Sequence, residues 1–338
     1  MPAGLGHEGV ALSAMLIVNK REATQALTMR RAIGVMRETL VALDAGEALQ
    51  PPRTMMKLPG HRDAFWIMPS YAGVPASLGV KVLTAFPGNL GTVYDTHQGA
   101  VLLFGDHGEL LALVDATAMT AIRTAAVSGV ATDALARAES SVLAIVGSGA
   151  QAASHVDAVT TVRPILRVQV WSRTHEHGER FAREMRLRHD VDVAFCASVE
   201  DAVADADVIC TTTAAHAPVL QGRWLRAGVH INAIGSGAPT DREVDGDTVR
   251  RARVVVDRME SAMREAGDLL LAIEEGAITQ AAIAGELGAV LAGRVPGRRT
   301  PEEITMFKSV GLGAEDVAAA RATYDECLRL GLGLEVQF

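Results

Sequence analysis

Short apolar runs recur through the second half of the chain and alternate with polar, helix-compatible stretches. Such alternation is typical of parallel strands that are joined by helices. It predicts a doubly wound parallel sheet whose strands lie at residues 141–146, 167–173, 192–196, 206–213, 230–235, 253–257 and 304–310.

The pattern before about Arg123 is different, because one helical stretch at 24–45 is followed by short strands and many turn residues. The strand candidates are residues 64–68, 79–84, 99–104 and 109–114. Residues 105–108 (GDHG) predict a hairpin turn between the last two. This part is expected to form an antiparallel α+β domain, against which a terminal helix at 314–330 packs.

The strand at 141–146 runs into a glycine turn with the sequence GSGAQA, residues 147–152. Gly147 permits a tight turn, Gly149 leaves room for a diphosphate, and Ala152 keeps the following helix close to the strand. The free N–H groups at the start of that helix would face an anion. The turn therefore predicts dinucleotide binding.

The end of the second strand indicates which dinucleotide is bound. NAD sites usually have an acidic residue here, which accepts hydrogen bonds from the ribose. This chain has Ser172, Arg173 and Thr174 instead. A cation and two hydroxyl groups suit a 2′-phosphate, so the sequence favours NADP (NADPH) over NAD.

Composition narrows the functional classes. The 338 residues are 49% hydrophobic and carry a net charge of −8, which argues against a nucleic-acid-binding surface. Three scattered cysteines, Cys196, Cys210 and Cys327, suggest neither a disulfide framework nor a metal site. Without a signal-like segment or an apolar run that could span a membrane, we expect a cytoplasmic protein with no membrane partner.

Three basic residues of the first part stand in unusual surroundings. Arg53 follows two prolines, Lys81 lies inside an apolar strand, and Arg123 lies among small residues. A buried cation needs a partner, which can be a structural carboxylate or a substrate carboxylate. Spacing alone favours neither, but the absence of acids nearby in the sequence inclines the interpretation towards an anionic ligand.

Together these residues resemble the ornithine cyclodeaminase/mu-crystallin family. The resemblance extends over nearly the whole chain and rests on the ordered motifs PRT (52–54), GVK (79–81), Asn89, THQG (96–99), TAIRTA (120–125), GSGAQ (147–151), NAIG (232–235) and FKSVG (307–311). It implies a Rossmann domain at 126–310 that binds the nucleotide, together with a substrate-binding and dimerisation domain at 1–125 and 311–338. It also implies a homodimer.

The resemblance also assigns roles to residues. Arg53, Lys81 and Arg123 would surround the carboxylate and nitrogen of an amino or imino acid. The pyrophosphate would be held by Ser148, Ala150 and Gln151, and the nicotinamide side would be lined by Lys308 and Ser309.

One departure from the family pattern separates the activities. Cyclodeaminases and related alanine dehydrogenases have an aspartate in the loop after NAIG, where this chain has Gly237. Asp241 lies further on and is expected to begin a helix. Without the acid, water is difficult to activate for imine hydrolysis, whereas reducing a preformed imine needs only a hydride, a carboxylate clamp and a proton.

The sequence therefore predicts an NADPH-dependent reductase of a small cyclic ketimine, such as pyrroline-2-carboxylate or piperideine-2-carboxylate. Arg53 and Arg123 would bind the carboxylate, and Lys81 would neutralise it or protonate the imine nitrogen. His97 is a second candidate for proton transfer. An ornithine cyclodeaminase-type lyase, an amino-acid or opine-like dehydrogenase, and a binding protein without turnover remain alternatives.

Overall fold

The computed structural model describes residues 14–60, 63–89 and 91–337. Its strands are β1 (Ala14–Val18), β2 (Thr54–Lys57), β3 (Ala64–Ala72), β4 (Ser77–Ala85), β5 (His97–Phe104), β6 (Leu110–Asp115), β7 (Val142–Val146), β8 (Arg167–Trp171), β9 (Asp192–Phe195), β10 (Val208–Thr211), β11 (His230–Ala233), β12 (Ala252–Val256), β13 (Ile283–Glu286), β14 (Ile304–Lys308) and β15 (Leu334–Gln337). Its α-helices are α1 (Lys20–Ala26), α2 (Met29–Ala45), α3 (Ala116–Leu135), α4 (Ala150–Val162), α5 (His175–Arg188), α6 (Val199–Val203), α7 (Gly246–Arg251), α8 (Met259–Glu265), α9 (Gly267–Glu274), α10 (Leu287–Leu291) and α11 (Gly313–Leu330).

One sheet has seven strands in the order β15-β1-β6-β5-β4-β3-β2. The neighbouring strands from β2 to β6 are antiparallel, as predicted for β3 to β6, and residues 105–108 form the turn between β5 and β6. The pattern did not indicate β1, β2 or β15, and β1 pairs in parallel with β6. Terminal helix α11 packs against β3, β4 and α2, so the end of the chain returns to this sheet.

The helical stretch predicted at 24–45 is two helices. Helix α1 begins after Asn19, whose side chain forms a capping box with Glu22, and it ends at Ala26. Helix α2 then begins after Thr28, whose hydroxyl accepts a hydrogen bond from the Arg31 N–H. A threonine at this position satisfies an otherwise free backbone N–H, which explains why the helix restarts there.

Helix α3 was not predicted, although its twenty residues include Arg123. Its sequence is mostly small apolar residues without a polar stripe, and most of its side chains are buried. A helix that is apolar on all sides packs inside the protein and gives no amphipathic signal. Here α3 packs against α2 and α4 and so connects the elements of the two sheets.

The second sheet has eight parallel strands in the order β13-β12-β14-β11-β10-β7-β8-β9. The predicted strands of this half are confirmed, with bounds that differ by at most two residues, and β13 is an additional edge strand. Strand order reverses between β7 and β10, and ligands of such sheets bind in the crevice at this reversal. The fold class predicted from the pattern is therefore correct.

No helix in the described ranges is both long and apolar enough to cross a membrane. Residues 1–13 and Phe338, which the domain prediction includes, lie outside the described residues.

Candidate active site

A cavity of about 490 Å³ lies where the first sheet and α3 face the carboxyl ends of β7, β10, β11 and β14. Of the residues predicted from sequence, the structure brings eight to its lining, namely Arg53, Lys81, His97, Arg123, Gly149, Ala150, Gln151 and Ser309. Gly147, Ser148, Ser172, Arg173, Thr174 and Lys308 are not among the lining residues. The cavity therefore joins the cation group to the glycine turn.

The glycine turn has the geometry that a diphosphate requires. Gly147 has φ +118°, and a Cβ atom there would lie 2.9 Å from the carbonyl oxygen of Thr212. Gly149 precedes α4 as its N-cap, and a Cβ atom there would meet nothing within 4 Å. The space in front of the helix start is open, so the turn fits a dinucleotide.

The three residues after β8 lie beside this turn. The hydroxyl oxygens of Ser172 and Ser148 are 2.8 Å apart, which connects the second strand end to the glycine turn. Arg173 and Thr174 are exposed, and Thr174 is the N-cap of the 14-residue helix α5. A cation, hydroxyl groups and a helix start therefore lie together at this edge of the sheet.

Lys81 extends from β4 and is almost fully buried. Its Nζ donates to Thr120 Oγ1 at 2.8 Å and to Asp316 Oδ1 at 2.9 Å. Burial lowers the pKa of Lys81 to about 8, although the nearby Asp316 carboxylate opposes the shift. A lysine with this pKa can both hold and release a proton near neutral pH.

Arg123 extends from α3 and is 5% exposed. It donates through Nε to Asp316 Oδ1 at 2.8 Å and through Nη1 to Glu315 Oε2 at 2.9 Å. Burial disfavours the charged form, but Asp316 and Glu315 outweigh this and raise the pKa of Arg123. Its charge is thus supported chiefly by Asp316, and Glu315 adds to this effect.

Arg53, which precedes β2, pairs with Glu265 at the end of α8. Its Nη1 donates to the Val310 carbonyl oxygen at 3.3 Å, and its guanidinium carbon lies 4.3 Å from the centre of the Trp66 ring. These contacts hold the guanidinium at the cavity between the two sheets.

The expectation that the three cations lack acidic neighbours is wrong. Each has a carboxylate partner, but Glu265, Glu315 and Asp316 lie about two hundred residues or more away in the sequence. Proximity along the chain could not reveal them. A signal did exist, because Glu315 and Asp316 are adjacent acids among the small and apolar residues at 313–320, and such surroundings are unusual for charged side chains.

Asp257, at the end of β12, organises the loop after β14. Its Oδ2 accepts from Ser309 Oγ at 3.1 Å and from the N–H groups of Val310 and Gly311 at 2.7 and 2.9 Å. Gly311 has φ +79°, and a Cβ atom there would lie 2.8 Å from Arg123 Nη1. This loop therefore brings Ser309 to the cavity and leaves room for the Arg123 guanidinium.

Lys308, which the resemblance assigned to the nicotinamide side, points into the protein. Its Nζ lies 2.8 Å from Asp268 Oδ2 and donates to the Ser236 carbonyl oxygen at 2.6 Å. Asp268 also accepts from the Glu243 N–H, and the Glu243 carboxylate accepts from the Gly235 N–H. In this arrangement Lys308 supports the loops behind the cavity.

Gly237 lines the cavity, and a Cβ atom there would meet only Arg53 Nη2, at 4.0 Å. The space in front of Gly237 is thus open in this chain. Asp241 does not begin a helix as expected. It pairs with His216 at 2.9 Å, while Asp245 is the N-cap of α7.

His97, the second proton-transfer candidate, lines the cavity at the start of β5. Partial burial and the charge of Lys81 lower its pKa, so at neutral pH the ring is mainly uncharged. Lys81 is therefore the better proton donor of the two.

Comparison with known proteins gives consistent matches. Residues 14–330 match the model of the ornithine cyclodeaminase/mu-crystallin family. Mouse ketimine reductase mu-crystallin is 41% identical over 281 residues, which cover 83% of this chain and 86% of that protein.

Two solved structures are similar over almost the whole chain. The Δ1-pyrroline-2-carboxylate reductase of Thermococcus litoralis, in complex with NADH and L-proline, has a TM-score of 0.93 and 35% identity, covering 95% of this chain and 100% of that one. An archaeal alanine dehydrogenase dimer with bound NAD has a TM-score of 0.90 and 30% identity, covering 96% and 100%.

Proposed function

Because the chain belongs to the ornithine cyclodeaminase/mu-crystallin family, we propose that it reduces a small cyclic ketimine, pyrroline-2-carboxylate or piperideine-2-carboxylate, with NADPH. The observation that carries the proposal is the position of the Lys81 ammonium group. It lines the same cavity as Gly149 at the nucleotide turn, and Arg53 and Arg123 line that cavity too. Names of relatives agree, since two of the three proteins compared above are named a ketimine reductase and a Δ1-pyrroline-2-carboxylate reductase.

The substrate carboxylate binds to the two arginines. Hydrogen bonds to α11 occupy Nε and Nη1 of Arg123, and no described residue accepts from its Nη2. That donor group is therefore available to an anionic ligand. A hydrogen bond between arginine and a carboxylate is stronger than a hydrogen bond between two neutral groups. Arg53 supplies the second contact and shares its charge between Glu265 and the substrate.

Lys81 supplies the proton that the imine nitrogen gains. When bound, the cofactor would supply a hydride to the imine carbon. Together with the proton on nitrogen, this would convert the C=N double bond into a C–N single bond with one new C–H bond and one new N–H bond. Asp316 and Thr120 accept hydrogen bonds from Lys81 and orient its ammonium group towards the cavity. Orientation of the imine beside this donor contributes much of the rate.

The preference for NADPH rests on Ser172, Arg173 and Thr174. The solved relatives contain NADH or NAD, so the preference is argued from this chain's own residues. No carboxylate stands among these three residues to repel a 2′-phosphate, and Arg173 is exposed and able to reach it. Gly147, Ser148, Ala150 and Gln151 would surround the pyrophosphate, with Ser309 on the nicotinamide side.

The domain division and a homodimer are part of the same proposal. We assign residues 1–125 and 311–338 to substrate binding and dimerisation, and residues 126–310 to nucleotide binding. Strand β2 is a fully exposed edge, and Met55, Met56, Ile67 and Tyr71 are exposed apolar residues on β2 and β3. An apolar sheet edge of this kind needs a partner. Sedimentation as a stable monomer would contradict the dimer.

The cytoplasm is the proposed compartment. All three cysteines are free, and Cys210 and Cys327 are buried, which suits a reducing environment. Localisation of a tagged full-length chain by fluorescence microscopy tests this assignment.

The deciding experiment follows NADPH oxidation at 340 nm with each cyclic imine, alongside parallel reactions with NADH. Turnover with NADPH and either imine is the expected result. Ammonia release from ornithine would instead indicate a lyase. Tight NADPH binding without turnover of either imine would indicate a binding protein.

A further inference from the structure

The carboxylate of Asp316 is shared by two cations of the site. Its Oδ1 accepts from Lys81 Nζ at 2.9 Å and from Arg123 Nε at 2.8 Å, and the Asp316 side chain has no exposed surface. The residue lies in the first turn of α11, which packs on β4 and α3, the elements that carry those two cations. One oxygen atom thus fixes the separation of the proposed proton donor and a proposed carboxylate ligand.

We propose that Asp316 is a positioning residue for catalysis, which aims the Lys81 ammonium group into the cavity and keeps it charged in the working pH range. This inference rests on the proposed reductase function. Asp316 does not line the cavity, so it acts through Lys81 and not on the substrate.

The charged groups that face Lys81 explain why it needs this partner. Burial lowers the Lys81 pKa, and the positive charges of Arg123 on α3 and Arg53 before β2 lower it further. Nearby His97 on β5 is itself kept mainly uncharged by burial and by Lys81. The Asp316 carboxylate opposes these effects. Without it, Lys81 would lose its proton at a lower pH.

Glu315 provides a matched control. It adjoins Asp316 on the same helix, is equally buried, and binds Arg123 through its Oε2 atom at 2.9 Å. The described contacts of its carboxylate are to Arg123 and to the Leu312 N–H. Glu315→Gln therefore makes the same chemical change as Asp316→Asn and perturbs only the Arg123 side of the cluster.

The experiment measures kcat/KM for imine reduction between pH 6 and 10 in wild type, Asp316→Asn and Glu315→Gln. Activity should fall as Lys81 loses its proton, with a midpoint near pH 8 in the wild type. In Asp316→Asn the midpoint should move down by about one pH unit, because an opposite charge at this distance shifts a pKa by roughly one to three units. Glu315→Gln should keep the wild-type midpoint and lose activity by a constant factor.

A merely structural role for Asp316 would lower activity by the same factor at every pH and would overturn the proposal. Loss of the fall in activity at high pH in Glu315→Gln would also overturn it. Burial raises the pKa of Glu315 to about 8, so the fall would then report the deprotonation of Glu315 and not that of Lys81. If Asp316→Asn does not fold, Asp316→Glu replaces it. That variant should keep the midpoint and lose kcat, and an unchanged kcat would refute positioning.

Competitive labelling of lysines with acetic anhydride, read by mass spectrometry of the Lys81 peptide, measures the Lys81 pKa without any turnover. A lower pKa in Asp316→Asn than in the wild type is expected, and equal values would contradict the inference. If the wild type reduces no imine, the proposed function fails, but the labelling still decides the role of Asp316.

Discussion

The two sides of the cavity are built by different means. On the side of the first sheet, Lys81 and Arg123 are held by buried carboxylates that come from the far end of the chain. On the side of the second sheet, the glycine turn is shaped by its own backbone, with Gly147 at φ +118° and open space at Gly149. The first side depends on long-range ion pairs and the second on local conformation.

The two sides of the cavity should therefore respond differently to mutation. Removing one partner of a buried ion pair leaves an uncompensated charge, which costs stability as well as function. A nucleotide turn can lose affinity for its ligand while the fold stays intact, because the space it offers is empty of protein atoms.

Replacement of Lys81 should have the largest effect on activity. Lys81→Met removes the proposed proton donor, and general acid catalysis contributes roughly 10² to 10⁴ in rate. We expect kcat/KM for the cyclic imine to fall by that factor while the Kd for NADPH, measured by fluorescence titration, stays unchanged. Arg250→Met, an exposed arginine on α7 that pairs with Asp247, is the control and should retain activity. A substantially active Lys81→Met enzyme would refute the role.

Replacement of Arg123 should lower stability most. Arg123→Met leaves Glu315 and Asp316 buried without their guanidinium partner, and breaking a buried pair costs about 3–5 kcal/mol. Urea denaturation followed by circular dichroism measures the free energy of unfolding. The control is Arg264→Met, which breaks an exposed pair with Glu260 and should change stability very little. Equal small losses in both variants would remove the contrast between the two sides of the cavity.

The same contrast explains how much could be predicted from the sequence. The glycine turn and the parallel strands are encoded in consecutive residues, and their patterns were sufficient. The preference for NADPH argued from Ser172-Arg173-Thr174 stays a prediction. Helix α3 was missed because it is apolar on all sides, and β1 and β15 are short strands that pair with each other across more than three hundred residues at one end of the sheet. The formation of these three elements depends on tertiary contacts, which are not visible in the local sequence.

Arg53, Lys81 and Arg123 could be recognised in the sequence by their unusual surroundings, but their carboxylate partners could not. Lys81 and Asp316 are 235 positions apart, and only the packing of α11 on β4 brings them together. For the same reason, sequence alone could not tell that Lys308 points away from the cavity towards Asp268. Candidate residues can be recognised from their unusual surroundings in the sequence. Only the fold decides whether their side chains face the cavity or the protein interior.

Two alanine substitutions in the glycine turn separate backbone conformation from ligand space. Gly147→Ala should lower the free energy of unfolding by about 1–3 kcal/mol, because alanine disfavours a positive φ and its Cβ would approach Thr212. Gly149→Ala meets no protein atom, so stability should be nearly unchanged while the Kd for NADPH rises. Thermal unfolding and nucleotide titration of both variants measure the two effects. A Gly149→Ala protein that binds NADPH normally would contradict the predicted position of the pyrophosphate.

The smallest effect is expected at Arg173, because this side chain is exposed and its interaction with a phosphate is weakened by solvent and salt. Arg173→Ala should reduce the preference for NADPH over NADH about tenfold, which is the order expected when one charge-assisted contact is lost at a wet surface. The ratio of the two Kd values measures the change, and it should shrink as ionic strength rises. Arg180→Ala, an exposed arginine on α5 that pairs with Glu184, controls for the general field of positive charge. If both variants keep the ratio of the wild type, then nucleotide choice does not depend on Arg173, and Ser172 together with the start of α5 determines it.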